Sequence, residues 1–242
     1  MTCSLASDMA YLVRRYVVFA LGLFCISLGI GIVTKASLGT SPITSIPYTL
    51  SMVFPTVTVG TFTILFSFLL VFLQWVLTGI HSFDRVGKIN LVMELFISVP
   101  FGYMVDLALW MLSGLNPDML WAQILCVLVG IPILAIGVYM QVVAEVVMIP
   151  GDGFVYALTR RLGISYGKVR LTSDTSMVLI AAAIGFACLG GLGGVGLGTV
   201  MSCLMTGVVA RFYMARLTRL TAILVPGKHI DGIANGRQCE EQ

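Results

Sequence analysis

Two stretches of the chain combine the start of a helix with polar side chains, and both are suited to binding a small charged molecule. In the first, Ser41 and Pro42 are typical of a helix start, because the hydroxyl can cap the helix and proline suits its first turn. The free N–H groups of Ile43 and Thr44 would then bind a carboxylate or a phosphate, and Lys35 would add a positive charge. The alternative is a surface turn with an ordinary helix cap.

The second stretch begins at Pro150 and carries the opposite charge. Asp152 can cap the following helix through its own carboxylate, which disfavours a second anion at that position. We therefore expect Asp152 to contact a cation, or a hydroxyl or amine of a substrate. Glu145 and Asp174 flank this break in the sequence, and each is a candidate for carrying a coupled proton. The alternative for both is a structural role.

Ionisable side chains inside an apolar run are costly and usually face the interior of a helix bundle. Glu94 and Asp106 are two such residues, and each is also a candidate for carrying a coupled proton. The alternative is a side chain that extends to the membrane interface, or an ion pair with Arg85, Lys88 or Arg170. The candidate substrate-binding residues are those at the two helix starts and the polar side chains around them: Lys35, Thr40, Ser41, Ile43, Thr44, Tyr48, Gln141, Glu145, Asp152, Gly153, Tyr156 and Asp174.

Motifs for enzymatic chemistry fail in their context. Residues 163–167 match G-x-S-x-G, but a helical pattern precedes them where a nucleophile elbow needs a strand. Residues 191–196 match G-x-G-x-x-G, but they join two apolar runs instead of a strand and a helix. The six cysteines are scattered without a C-x-x-C pair. We expect no enzymatic activity, no cofactor and no metal site.

The composition places most of the chain in a membrane. Of its 242 residues 58% are hydrophobic and 10% charged, whereas a soluble domain has about 25% charged residues. Six apolar runs approach or exceed the roughly 20 residues that cross the hydrocarbon: 16–34, 59–80, 90–112, 120–143, 172–189 and 195–213. Two further segments, 42–53 and 152–162, look helical but reach only about halfway. We therefore expect an all-α polytopic membrane protein with six transmembrane helices and two short re-entrant half helices.

Lysine and arginine outside the spans occur at every second connection. They precede the first span, separate spans 2 and 3 and spans 4 and 5, and follow span 6. The alternate connections contain at most Lys35. By the positive-inside rule, we expect both termini to be cytoplasmic and the number of spans to be even. No compact basic face indicates nucleic-acid binding.

The chain contains a weak internal repeat with an offset of about 108 residues. Its landmarks are Gly22, Gly29, Ala36, Pro42, Tyr48 and Leu50, which recur as Gly130, Gly137, Ala144, Pro150, Tyr156 and Leu158. Each copy, about 14–114 and 119–216, holds three spans, an odd number, so the copies insert in opposite directions. We expect a single transmembrane domain with an inverted 3+3 repeat and a cytoplasmic tail over 217–242.

Four short motifs follow one another along the apolar part of the chain. They are Leu38-Gly39-Thr40-Ser41-Pro42, Pro150-Gly151-Asp152-Gly153, Val169 through Asp174, and Val195-Gly196-Leu197-Gly198-Thr199 followed by Gly207. In this order they resemble the YczE/YitT-type family of small bacterial integral membrane proteins over about residues 12–215. The resemblance implies a protein of the cytoplasmic membrane that is suspected of transport, and it supplies no catalytic residues.

Broken helices in an inverted repeat predict a secondary transporter of a small polar, anionic metabolite or vitamin. Its acidic group would bind at the start of the first short helix, near Lys35. Asp152, Glu145 or Asp174 would contact its other end or carry a proton. The alternative is a non-transporting membrane scaffold or regulator that binds another protein. The expected partners are the lipid bilayer and the small-molecule substrate, and a homo-oligomer is left open.

Overall fold

The computed structural model describes residues 2–78 and 85–217, and this part of the chain forms eight α-helices and no strand. In chain order they are α1 (Thr2–Lys35), α2 (Pro42–Val53), α3 (Val59–Thr78), α4 (Arg85–Met111), α5 (Leu120–Ala144), α6 (Pro150–Leu162), α7 (Tyr166–Leu189) and α8 (Leu197–Arg216). Residues 218–242, nearly all of the predicted tail, lie outside the described residues.

Six helices, α1, α3, α4, α5, α7 and α8, are long and apolar enough to cross a membrane, so the chain is a multi-pass membrane protein. Many of their large apolar side chains are exposed, as expected of surfaces that contact lipid. The predicted all-α fold with six spans is confirmed. The fifth span begins six residues earlier than predicted, at Tyr166, because Lys168 and Arg170 interrupt the apolar run that the prediction followed.

The two predicted short helices are α2 and α6. α2 has the predicted bounds, and α6 begins at Pro150, two residues before its predicted start. A proline occupies the first turn of each. α6 ends at Leu162, and the residue that follows, Gly163, has a φ of 65°, which is left-handed and suits glycine. With 12 and 13 residues, each helix is about 18–20 Å long and too short to cross a membrane.

The first helices of the two repeats, α1 and α5, cross in antiparallel directions at glycines. A Cβ on Gly22 would lie 3.1 Å from the Gly137 carbonyl oxygen, and a Cβ on Gly130 would lie 3.2 Å from that of Gly29. Residue numbers at these contacts increase along α1 and decrease along α5, so the two helices are antiparallel. The two contacts are also equivalent, because Gly22 corresponds to Gly130 and Gly29 to Gly137 in the repeat. The packing of α1 on α5 thus shows two repeats related by an approximate two-fold axis and running in opposite directions.

Each short helix packs on a span of the other repeat: α2 on α7, and α6 on α3. These contacts are equivalent, since α2 corresponds to α6 and α3 to α7. Ile46 of α2 shares a buried apolar cluster with Met177 of α7. At the far end of α6, Arg161 Nη1 donates to the Leu77 carbonyl of α3 at 2.6 Å. The two short helices are therefore held by the opposite repeats.

The repeats differ in the contact between their last two spans. α3 and α4 pack closely where Gly60 meets Gly102, and the Gly60 N–H donates to Asp106 Oδ1 at 2.7 Å. The Asp106 carboxylate therefore accepts a hydrogen bond from the first turn of α3, which gives this partly buried charge a structural role inside its span. The equivalent helices α7 and α8 barely contact each other. The two-fold symmetry is good at α1 and α5 and is broken at these outer helices.

Candidate functional site

The starts of α2 and α6 meet at one close side-chain contact. The Cδ1 atom of Ile43, near the start of α2, packs directly on Gly151 of α6 and leaves no room for a side chain there. Ile43 and Gly151 are equivalent positions in the two repeats, so their contact lies on the approximate two-fold axis. The positive ends of both helix dipoles are therefore close together, with an apolar side chain between them.

Four hydroxyl side chains, which we call the hydroxyl cluster, surround the start of α2: Thr34, Thr40, Ser41 and Thr44. Thr40 Oγ1 lies 2.7 Å from Thr34 Oγ1 and 2.9 Å from Thr44 Oγ1, and Ser41 Oγ lies 2.7 Å from Thr44 Oγ1. All four residues are buried. The prediction that Ser41 caps α2 through its side chain is wrong, because its hydroxyl bonds to the Thr44 hydroxyl and to no helix N–H.

The start of α8 packs on the loop that precedes α2. The Thr40 N–H donates to Thr199 Oγ1 at 3.1 Å, and the Gly198 N–H donates to the Leu38 carbonyl at 2.7 Å. Between them Gly39, with φ of 116°, turns the chain, and a side chain at this position would overlap Thr199. Two of the motifs noted in the sequence, 38–42 and 195–199, are therefore partners in space.

Three charged side chains, which we call the charged cluster, connect the start of α6 to α7: Asp152, Arg170 and Asp174. Arg170 Nη1 pairs with Asp152 Oδ1, Arg170 Nε lies 3.2 Å from Asp174 Oδ2, and Nη1 also donates to the Tyr166 hydroxyl at 3.3 Å. The prediction that Asp152 caps α6 is wrong: Ile149 is the N-cap residue, and Asp152 lies in the first turn, where its carboxylate reaches Arg170 instead. The other two motifs, 150–153 and 169–174, are thus also partners.

A third polar group, the Glu94–Gln74 pair, joins α4 to α3 where α6 packs on these two helices. Gln74 Nε2 donates to Glu94 Oε1 at a long 3.4 Å, while Glu94 Oε2 and Gln74 Oε1 have no hydrogen-bond partner. Gly153 of α6 packs on the pair, and a Cβ there would lie 2.6 to 2.8 Å from these three oxygens. Among the described side chains, no lysine or arginine forms a salt bridge with Glu94.

Three predicted site residues lie at the margins of this region. Lys35 is the last residue of α1 and is half-buried. Tyr48 of α2 packs its ring on Gly194, in the loop between α7 and α8. Tyr156, its equivalent in the second repeat, is half-buried on α6.

Two further predicted residues belong to the α1–α5 contact. Gln141 is buried beside Gly22, and its Nε2 has no hydrogen-bond partner. Glu145 is exposed and adopts a left-handed conformation just after α5. Arg15 of α1 donates to the Glu145 carbonyl, and to that of Ala144 at 2.8 Å, so it caps the end of α5 as well as contributing to the charge pattern.

Gln74, Thr34 and Thr199 are not among the site residues predicted from the sequence. Arg170 is predicted only as a charge of the connection between spans 4 and 5 or as an ion-pair partner. Gln74 carried a usable signal, since an amide in the middle of an apolar run needs a partner. Threonines are common in transmembrane helices and gave no such signal. Their role follows from neighbours that are up to 159 positions apart in the sequence.

The two helix starts offer different chemistry to a bound molecule. The hydroxyl cluster is neutral and can both donate and accept hydrogen bonds. The charged cluster has two carboxylates for one guanidinium and suits a hydroxyl, an amine or a cation. Within residues 2–78 and 85–217, no group of three His, Cys, Asp or Glu residues is placed to hold a metal ion.

The chain matches the family described as "Family of unknown function (DUF6198)" over residues 13–215. No curated protein and no solved structure matches it. The matched region begins in α1, ends in α8 and includes the hydroxyl cluster, the charged cluster and the Glu94–Gln74 pair. The chain therefore belongs to the DUF6198 family.

Proposed function

We propose that the protein is a secondary transporter that moves a small polar, anionic metabolite or vitamin across the cytoplasmic membrane. The contact between Ile43 and Gly151 carries the proposal, because it brings together the starts of two short helices from opposite repeats. Transporters with inverted repeats bind their substrates where such broken helices meet. The resemblance to the YczE/YitT-type family and the lysine and arginine pattern support the cytoplasmic membrane, with both termini on the cytoplasmic side.

In this proposal, the acidic group of the substrate binds at the start of α2. That position combines the positive end of a helix dipole with four buried hydroxyl groups. Lys35, the last residue of α1, would add a positive charge from the margin of the site. The hydroxyls bond to one another in the closed arrangement. A carboxylate or phosphate that enters replaces these bonds with stronger charge-assisted ones. Ile43 has to move aside for a molecule to reach both helix starts.

The other end of the substrate contacts the charged cluster at the start of α6. Its two carboxylates repel an acidic group and attract a hydroxyl or an amine, which gives the substrate a fixed orientation. The difference between the close α3–α4 contact and the open α7–α8 contact supports alternating access. If the repeats exchange conformations, α7 and α8 close as α3 and α4 part, and the site opens to the other side.

The direct test is uptake into proteoliposomes, measured against a panel of small carboxylates, phosphates and vitamins. We expect saturable uptake of at least one compound, with a KM that rises in Thr44→Val and in Asp152→Asn. Asp118→Asn is the matched control, because Asp118 is an exposed carboxylate in the loop after α4. Protein that is folded and inserted yet moves no compound of the panel contradicts transport.

The second candidate is a non-transporting scaffold or regulator, and the closed packing of the site favours it. The hydroxyls of the cluster already have partners, and Ile43 fills the space between the helix starts. The outer faces of α7 and α8 expose apolar side chains such as Leu179 and Val208, which suit a partner helix as well as lipid. This candidate predicts no uptake and no functional effect of Thr44→Val or Asp152→Asn.

A further inference from the structure

The Glu94–Gln74 pair has more hydrogen-bond acceptors than donors. Both carboxylate oxygens of Glu94 and Oε1 of Gln74 converge on Gly153, whereas only Gln74 Nε2 donates to the group. Glu94 is 3% exposed and Gln74 8%, so bulk solvent does not supply the missing donors. A buried carboxylate oxygen without a donor is costly. One proton on Glu94 Oε2 turns an unpartnered acceptor into a donor, with Gln74 Oε1 as a neighbouring acceptor.

The charges around Glu94 favour a positive species. On α3 the facing polar group is the neutral Gln74, and on α6 the acidic Asp152 is the sequence neighbour of Gly153, which packs on the Glu94 carboxylate. Behind Asp152, the Arg170 guanidinium of α7 is already shared by Asp152 and Asp174. The charged cluster near Glu94 therefore holds two carboxylates and one guanidinium. Because both carboxylates bind that guanidinium, the cluster has no further positive charge to offer Glu94.

The number of ligands favours a proton over a metal ion. Three oxygens from two side chains converge on Gly153, whereas hard cations bind about six oxygens. α1 also packs on α4, where Val18 and Phe19 share an apolar cluster with Phe101 and Val105. A proton needs only the carboxylate itself and one neighbouring acceptor.

We infer that Glu94 binds and releases a proton, and that this proton is the coupling ion of the proposed transporter. α6 connects the proton to the substrate, because Gly153 covers the Glu94–Gln74 pair while Asp152 belongs to the charged cluster. A movement of α6 during the transport cycle therefore changes the surroundings of both. The coupling rests on the proposed function, whereas proton binding by Glu94 does not.

Infrared difference spectroscopy of the whole protein during a pH titration tests proton binding without any substrate. We expect a carbonyl band of a protonated carboxylic acid that disappears on alkalinisation, is absent in Glu94→Gln and is shifted in Gln74→Leu. Asp118→Asn should leave the band unchanged. A band that persists in Glu94→Gln, or none at any pH at which the protein stays folded, overturns the inference. Loss of the band on adding Na⁺ at constant pH also overturns it, in favour of a sodium site.

Transport assays test the coupling. In Glu94→Gln, which mimics the protonated acid, we expect accumulation driven by a pH gradient to fall at least about tenfold, while substrate counterflow stays within about twofold of wild type. If Glu94→Gln accumulates substrate to the wild-type level, the proposed coupling is wrong, whereas the proposed transport function stands. If the wild-type protein transports nothing, the proposed function fails, and the infrared titration alone decides whether Glu94 binds a proton.

Discussion

The starts of α2 and α6 occupy equivalent positions in the two repeats, yet they are stabilised in different ways. Both follow a break in a transmembrane helix, both have proline in the first turn, and they contact each other through Ile43 and Gly151. The start of α2 is surrounded by hydroxyls that bond to one another. The start of α6 is joined to α7 by Asp152 and Arg170.

This difference shows that the repeat specifies the backbone and leaves the chemistry of each helix start to a few side chains. The positive ends of the α2 and α6 dipoles meet at the axis. The start of α2 is surrounded by neutral hydroxyl groups, whereas the start of α6 carries the Asp152 carboxylate. A symmetric site would bind a molecule in two orientations. In the proposed transporter, the asymmetric site would distinguish the two ends of a substrate.

Replacing Arg170 tests the charged side of the comparison and has the largest expected effect. Arg170→Met leaves Asp152 and Asp174 close together, partly buried and without a cation, so we expect a loss of about 3 kcal/mol in the free energy of unfolding in detergent. Lys168→Met, an exposed charge deletion on the same helix, should change it by less than about 0.5 kcal/mol. Equal effects in both variants contradict a structural role for the charged cluster.

Replacing Gly39 tests how the contact with α8 stabilises the loop that carries part of the hydroxyl cluster. Gly39→Ala adds a side chain at φ of 116° that overlaps Thr199, and we expect a loss of about 2 to 3 kcal/mol. Gly163→Ala is the control, because Gly163 has φ of 65° but no atom within 4 Å of its added Cβ; it should lose only about 1 kcal/mol. Thermal unfolding measures both, and equal losses mean that overlap with α8 contributes nothing.

Replacing the glycines where α1 and α5 cross tests the part of the molecule in which the two repeats are alike. An added Cβ lies 2.6 Å from Leu134 at Gly29 and 2.6 Å from Ile26 at Gly137, so Gly29→Ala and Gly137→Ala should each lose about 2 kcal/mol. Gly207→Ala, with no atom within 4 Å of its added Cβ, should be neutral or stabilising. Chemical unfolding curves that differ strongly between the first two variants argue against the two-fold axis.

Removing one hydroxyl has the smallest expected effect. Thr44→Val deletes the group that bonds to both Thr40 and Ser41, and we expect a loss of about 1 kcal/mol because buried hydroxyls are left without a partner. In Thr61→Val, a hydroxyl is lost from an exposed pair, and stability should stay within about 0.5 kcal/mol of wild type. Calorimetry or a thermal-shift assay compares them; an unchanged Thr44→Val would mean that hydroxyl pairing does not stabilise the start of α2.

Most of the fold could be predicted from the sequence, because membrane spans and breaks are local properties. The bounds of α2 follow from Pro42 and the apolar runs on either side, and the direction of the repeats follows from the charged connections. The details of each site were harder to predict. The side-chain caps expected from Ser41 and Asp152 do not form. The Ser41 hydroxyl bonds to the Thr44 hydroxyl instead, and α6 begins early enough that Asp152 lies inside its first turn and pairs with Arg170.

The sequence by itself determined a six-span, all-α membrane protein with two short helices, since the length of an apolar run and the position of a proline act on the residues beside them. Only the tertiary structure decided which polar groups meet: Thr199 with Thr40, Arg170 with Asp152, and Glu94 with Gly153. These partners lie on different helices, and hydropathy shows how much of a helix is buried but not which neighbour buries it. The side-chain contacts of a helix bundle are set by how its helices pack.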